Sequence, residues 1–526
     1  MHFSIPDTEE FSDDSGSTYM GYNLHINGSF HCTVRYRQLH HLHEQLKKEF
    51  NTKPLPYFPS KKILPLTPSQ LEERRAQLEK YIQTVGQDSI IINSEIFNGF
   101  LLCAQYETRK LFECRVGGNW DERDEVELEV FLMNGFKVSL RINSSNCSSK
   151  VLEKVSQHIR LPPDLINYFS LFLIKKEEDG QLTILRKLQD FESPYISQKS
   201  MNCLTRVVLR KSYWDPAYDD ILMRDSVALN LLYVQTVADV ERGGWLLRDD
   251  CSKWEDAQAM LASLQAKGAK KEYLEAAQRC LRHYGFIHFG TCVCNSPIPG
   301  TPATVSIGPR EMVLRLLVNG DGGVKECVFK VTRMRCWRIT TLHDRKESGR
   351  ESETSSSSSS TPSSSSSSPS SSGRPMEGKS LQPQLELSFE YLFSRDKLQW
   401  VTLMSEQAIL ISMCLRDVVD ELLLKRNEKS VGSERSMGRS GKWTYMRLDG
   451  SVVPHPLPVH VHKNGRISGQ SGEGKMNSHF SNESSPVSEG AKLPSATPPS
   501  RPVTLSPPSV APVENDAFEG IGDEDL

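Results

Sequence analysis

The feature that most constrains this chain is an interruption. From Glu347 to Pro383 the sequence is dominated by serine, and such a tract cannot bury enough apolar surface to offset the entropy of ordering it. Strand-like sequence stands on both sides. CVFKVTRMRCWRITT, Cys327 to Thr341, is rich in β-branched and aromatic residues, and QLELSFEYLF and QWVTLM resume after the tract. Residues 347–383 are therefore expected to form a disordered insert within one β-rich domain rather than to end it.

The segment before the insert carries basic residues and Trp337 in its second half, which is too much charge for a central strand. It reads as one edge strand, with backbone N–H and C=O groups open to an added peptide strand. A helix, Gln407 to Arg426, supplies a second wall. Ile411, Leu415, Val418 and Leu422 make its core stripe, and Val419 and Leu423 form another apolar row about 100° further round. That second row fits either a broad core face or a groove lining. Trp337 taken alone reads as core rather than ligand contact, because one indole buries a large apolar area.

The 526 residues exceed one core and leave room for about three or four domains. A formal charge of −3 gives no global attraction to nucleic acid or anionic lipid, so no nucleic-acid partner is expected and lipid binding requires a local patch. No apolar run reaches the ~20 residues of a membrane span, and MHFSIPDTEE lacks a signal-peptide layout. A cytosolic or peripheral protein is expected. The 12 cysteines show no zinc spacing and read as reduced, mostly buried thiols.

His40, His41 and His43 lack suitable ligand partners and read as structural. Gly469 to Met476, GQSGEGKM, imitates a P-loop but has Met476 where magnesium needs a hydroxyl. No protease, hydrolase or kinase signature occurs, so the expectation is no catalytic residue, no metal, no cofactor and no enzyme.

Along the chain, TYMGYNLHIN and FHCTVRYR flank a turn at Asn27-Gly28. A helix over 37–50, a proline-rich loop over 53–68 and two further helices complete a unit over 1–108. A linker, 109–124, contains Gly117-Gly118. Residues 125–213 read as strand, strand, helix, strand, residues 214–290 as helical, and 291–426 as the interrupted β-rich domain. The tail, 427–526, is polar and reads as disordered, ending in NDAFEGIGDEDL.

The order RYR, LHEQL, a proline loop with Lys61 and Lys62, then ERRAQLEKY resembles a PX domain. TRMRCWR and FEYLFSRDKLQWVT, with the long helix, resemble the last lobe of a FERM-like module. Together these identify the chain as resembling the PX-FERM subfamily of sorting nexins. The resemblance implies an α+β multidomain fold: a PX domain, a ubiquitin-like lobe, a helical lobe, a PTB/PH-like lobe and a disordered tail. It implies binding of phosphatidylinositol 3-phosphate membranes, with Arg35 on the 3-phosphate, Tyr36 under the ring, Lys61 on the linking phosphate and Arg74 on ring hydroxyls; a guanidinium fork suits phosphate, and lysine serves as a point charge. Arg37 stands where the family usually has serine or threonine.

The PTB-like lobe of that family adds NPxY or NxxY receptor tails as a strand, and the implied groove residues are Trp337, Val419 and Leu423. Leu423 replaces the usual methionine and keeps its apolar volume. The implied cargoes are tails of the LDL-receptor family, integrin β, amyloid precursor protein and P-selectin. The ending implies docking to the Retriever complex through Asp523, Glu524, Asp525 and Leu526. The expected protein is a monomeric endosomal cargo adaptor, cytoplasmic and peripheral on early endosomes, that recycles receptors and integrins to the cell surface. The alternative is a FERM-type signalling or cytoskeletal scaffold without cargo sorting. A fold-back of the tail is also expected, placing AFEGIGD against Arg333, Arg335 and Arg338 of the groove strand.

Overall fold

The computed structural model describes residues 1–12, 16–62, 64–115, 125–176, 182–201, 203–241, 254–296, 298–317, 324–342, 384–395, 397–428, 443–454 and 512–519. Strands β1 (Thr18–Ile26) and β2 (Ser29–Arg35) meet at Asn27 and Gly28, whose φ angles of 51° and 76° are those a tight primed turn demands. Two short N-terminal strands pair with the other edge of β1. Helix α1 (Tyr36–Glu49) buries Leu39, Leu42 and Leu46 against this sheet. Helix α2 (Pro68–Gln87) opens on a capping box between Thr67 and Gln70, with proline at its first position.

Helix α3 (Glu95–Arg115) runs well into the stretch expected to be linker. QYETRKLFECR contains no glycine or proline, so nothing stops the helix before Gly117. Residues 116–124 lie outside the described residues.

The next lobe comprises β3 (Glu125–Phe131), β4 (Lys137–Asn143), α4 (Ser148–Ile159), β5 (Phe169–Lys176), β6 (Leu182–Lys187) and β7 (Thr205–Lys211). Its sheet order is β4-β3-β7-β5-β6, with β3 and β7 parallel, which is the ubiquitin-like arrangement. The loop Leu132–Phe136 has positive φ only at Gly135, so it is a wider turn than Asn27-Gly28. Helices α5 (Ser226–Glu241), α6 (Trp254–Ala266) and α7 (Lys270–Cys280) form the helical lobe around Tyr273, Ala276 and Ala277. The ubiquitin-like lobe also packs on the PX unit. Phe191 joins the PX core, the Ser193 N–H donates to Gln105 Oε1 at 2.8 Å, and Gln105 Nε2 donates to Ser197 Oγ at 3.0 Å.

The third lobe contains β8 (Ile287–Cys294), β9 (Thr301–Ile307), β10 (Glu311–Leu317), β11 (Val324–Lys330), β12 (Met334–Leu342), β13 (Gln384–Ser394), β14 (Lys397–Met404) and α8 (Ala408–Glu428). Cys327 to Thr341 is thus two strands, not the single one expected, divided by a 3-10 turn at Val331–Arg333. The core explains the break. Val331 and Met334 are both fully buried, and residues three apart cannot share a face of one period-2 strand. Strands β12 and β13 pair across the serine-rich insert, with Leu342 opposite Gln384; the insert itself lies outside the described residues.

The tail is not uniformly without structure. Strands β15 (Thr444–Met446) and β16 (Val452–Pro454) form a hairpin whose Trp443 and Tyr445 are buried in the PX core, and β17 (Val513–Glu514) pairs with β12. Polar average composition concealed these short apolar anchors. Sheet order in the third lobe is β11-β10-β9-β8-β14-β13-β12-β17.

Candidate functional site

The open edge inferred from sequence is β12, and the chain's own tail lies on it. A β-bulge near Arg335 shifts the register of β12 on β13, so that Met334 and Trp337 both turn inward. Trp337 is fully buried between sheet and α8, its Nε1 donating to Ser412 Oγ at 3.0 Å. What Trp337 offers an added strand is its backbone, which stands opposite Val513.

After the β17 pairing the tail turns on Asn515. Its N–H donates to the Arg335 carbonyl at 3.0 Å, and its Nδ2 donates to the carbonyls of Val331 at 2.9 Å and Met334 at 2.6 Å. The Asn515 Oδ1 accepts from the Ala517 N–H at 3.0 Å, and its carbonyl accepts from the Phe518 N–H at 2.9 Å, closing a turn over Asn515–Phe518. The Glu519 N–H reaches the Thr332 carbonyl at 2.7 Å. Asn515 and Ala517 are buried, and Ala517 joins the cluster that holds Val419, with Leu423 packed at its margin. The second apolar row of α8 therefore serves both as core and as a floor beside the tail.

The fold-back expectation named Ala517–Asp523, of which residues 520–523 lie outside the described residues; the described part of the tail reaches Arg335 through the charge of Glu514, while the arginines also have other partners. Arg335 Nε pairs with Glu390 at 2.6 Å, the Arg338 guanidinium lies 4.7 Å from the Trp400 ring, and Arg333 lies 5.9 Å from the Tyr391 ring. Strand addition and the Asn515 amide make the contact. The signal for this is in the sequence: Asn515–Asp516–Ala517–Phe518 has the N-x-x-aromatic spacing of the peptides the groove is expected to take.

Three of the four expected phosphoinositide residues, Arg35, Tyr36 and Arg74, meet at the start of α1. Arg35, at the N-cap, places its guanidinium 3.7 Å from the Tyr19 ring and donates through Nη1 to the Leu448 carbonyl at 2.6 Å. Tyr36 donates its hydroxyl to the Pro59 carbonyl at 2.8 Å, which ties the proline loop to α1. The Arg74 guanidinium covers the Tyr36 ring at 4.5 Å, and its Nη2 donates to the Ser60 carbonyl at 3.4 Å. Burial pushes the Tyr22 phenol up, opposed by the charge of Arg74 and by its hydrogen bond. Lys61 stands exposed on the loop.

His43 stacks on Phe58 with ring centres 4.8 Å apart, and its Nδ1 lies 3.0 Å from the Tyr81 hydroxyl. His41 bonds the Thr444 hydroxyl at 2.9 Å. These contacts lock the proline loop and the tail hairpin to α1. Asp523, Glu524, Asp525 and Leu526, and the P-loop-like Gly469–Met476, lie outside the described residues.

Comparison with known proteins follows the same division. The PX domain family model matches residues 22–104, the F1 lobe model of the sorting nexin 17/27/31 FERM domain matches 126–214, and the F2 lobe model of sorting nexins 17 and 31 matches 215–282. The sorting nexin 17 FERM C-terminal domain model matches 285–359 and 368–423. The FERM and C-terminal domain complex of Drosophila Merlin covers 58% of this chain and 98% of its own, at 11% identity and a TM-score of 0.35. Sorting nexin-17 of Bos taurus is 44% identical and that of Danio rerio 41% identical over 530 residues, each match covering 100% of both chains. With PX and FERM lobes in this order and identity sustained from end to end, the chain belongs to the sorting nexin-17 family of PX-FERM sorting nexins.

Proposed function

We propose that this chain is a non-enzymatic endosomal cargo adaptor whose peptide groove is held by its own tail until a receptor tail displaces it. The observation that carries the reading is the Val513–Glu519 segment: a strand on β12 followed by an asparagine-led turn, the two elements by which an NPxY or NxxY peptide would bind. In this reading β12 supplies the backbone ladder beside Trp337, Val331 and Met334 supply carbonyls for the motif asparagine, and Val419 and Leu423 supply apolar surface. The PX unit reads phosphatidylinositol 3-phosphate through Arg35, Tyr36, Lys61 and Arg74, and so brings the groove to the cytoplasmic face of early endosomes. Lipid and cargo contacts on one membrane reinforce each other without either being tight. No helix among the described residues is long and apolar enough to cross a membrane.

Release of the groove frees the whole chain end, and Asp523, Glu524, Asp525 and Leu526 would then dock to Retriever for recycling of receptors and integrins. Cargo binding and recruitment are thereby coupled through one segment. Calorimetry with an NPxY peptide tests the reading on the full chain and on a chain lacking residues 512–526. The truncated protein is expected to bind more tightly. Equal affinity would remove the competition, and no binding to either would remove the adaptor role in favour of a scaffold.

A further inference from the structure

The first turn of α1 holds a third arginine that the expected lipid site does not use. Arg37 Nη2 donates to the Leu448 carbonyl, the same oxygen that Arg35 Nη1 reaches at 2.6 Å. Two cations thus converge on one neutral acceptor, with the Asp449 carboxylate of the same turn near enough to feel the Arg37 charge. A guanidinium bond to a carbonyl is charge-assisted from one side only, whereas a phosphate oxygen assists from both and presents further oxygens to a second fork. Arg37 Nε is buried with no hydrogen-bond partner, so part of this fork is unspent.

The turn between β15 and β16 lies against Arg37. Gly450 has φ +92°, and a side chain there would collide with the Arg37 guanidinium. The hairpin is anchored elsewhere, by buried Trp443 and Tyr445, and the Leu448 N–H donates to Glu107 Oε1 at 3.0 Å. Withdrawal of the carbonyl oxygen requires rotation of only the Leu448–Asp449 peptide plane, about ψ of Leu448 and φ of Asp449.

We propose that Arg37 is a second phosphate-binding arginine, closing with Arg35 on one phosphomonoester of a phosphoinositide headgroup, and that the Leu448 carbonyl keeps that place until the lipid takes it. This rests on the PX reading above. The shared chemistry is a phosphorylated inositol, and the occupant is the membrane lipid rather than a free inositol phosphate.

The test uses the full chain and phosphatidylcholine vesicles with and without phosphatidylinositol 3-phosphate, with soluble inositol 1,3-bisphosphate as competitor. Arg37→Ser is expected to weaken vesicle binding roughly tenfold or more, the loss of one charge-assisted bond, and Arg37→Lys several-fold. Both the vesicle and the soluble headgroup should be affected, because the contact is to the phosphate and not to general surface charge. On the unmutated protein, inositol 1,3-bisphosphate should slow phenylglyoxal modification of Arg37, read by mass spectrometry, which keeps the test independent of variant folding. Full affinity in Arg37→Ser, or unchanged labelling of Arg37, overturns the proposal. Binding lost in Arg35→Gln but intact in Arg37→Ser overturns this inference alone, and absence of phosphoinositide binding by the unmutated chain overturns the PX reading with it.

Discussion

The proposed peptide groove and the proposed lipid pocket are both covered by the chain's own tail, but by opposite means. On β12 the tail lies on an edge: a two-residue strand, one asparagine amide and a turn, with Ala517 as its buried apolar side chain and Val513 half-buried. On the PX unit the tail is built in, with Trp443 and Tyr445 fully inside the core and main-chain or side-chain bonds to Gln38, His41, Gln45 and Glu107. An edge strand can leave and expose little. A hairpin whose indole fills the core cannot leave without opening the domain, so the groove suits exchange of a whole ligand and the pocket suits a local yielding of one turn.

Trp443→Ala attacks the permanent half of this contrast most strongly. Loss of a fully buried indole should cost about 3–5 kcal/mol, seen as a lower unfolding midpoint in urea, while affinity for an NPxY peptide stays the same. If peptide affinity changed equally, the two tail segments would be one device. A second strong effect should come from pH. His31 is buried beside Phe191 with Nε2 on the Leu101 carbonyl, and burial lowers its pKa to about 4. A depressed histidine leaves stability intact above its unfolded value near 6.5 and lets it fall as pH drops toward 4, because the unfolded chain takes the proton first. The His31 share of that drop should approach about 3 kcal/mol; because burial also lowers His2 and His283 to about 4, His31→Gln should make the fall shallower without abolishing it, measured by urea unfolding across that range.

The exchangeable half should answer to a smaller change. Asn515→Ala removes an amide that satisfies two carbonyls, worth about 1–2 kcal/mol, and should raise apparent cargo-peptide affinity roughly tenfold by calorimetry. Arg426→Ala should do almost nothing. Its pair with Glu519 spans 3.6 Å with both side chains exposed, so a shift beyond about 0.5 kcal/mol in the same assay would mean that charge holds the tail after all.

Much of this architecture was legible because local chemistry dictated it. Asn27-Gly28 could be read as a tight turn since both positions need positive φ, and the strands beyond the serine tract announced that the lobe continued. The heptad-like stripe of α8 pointed to Ile411, Leu415 and Val418, which are fully buried. What stayed hidden depended on partners distant in sequence. Val331 and Met334 share a core face only once the sheet exists, which is why Cys327–Thr341 looked like one strand. Trp443 and Tyr445 sit in a polar stretch and gain meaning only from Gly99 and Glu107, hundreds of positions earlier. At the groove, charge was legible but gave only part of the contact, because Arg335 and Arg338 also meet Glu390 and Trp400.

Because the strand that covers β12 is carried on the same chain, its local concentration at the groove does not fall when the protein is diluted. Under the proposed function, a receptor tail would therefore compete against a constant set by the molecule and not by expression level. Occupancy would then report how densely receptor tails are gathered on the membrane in front of the groove, so that scarce, scattered tails would leave it shut and clustered ones would open it.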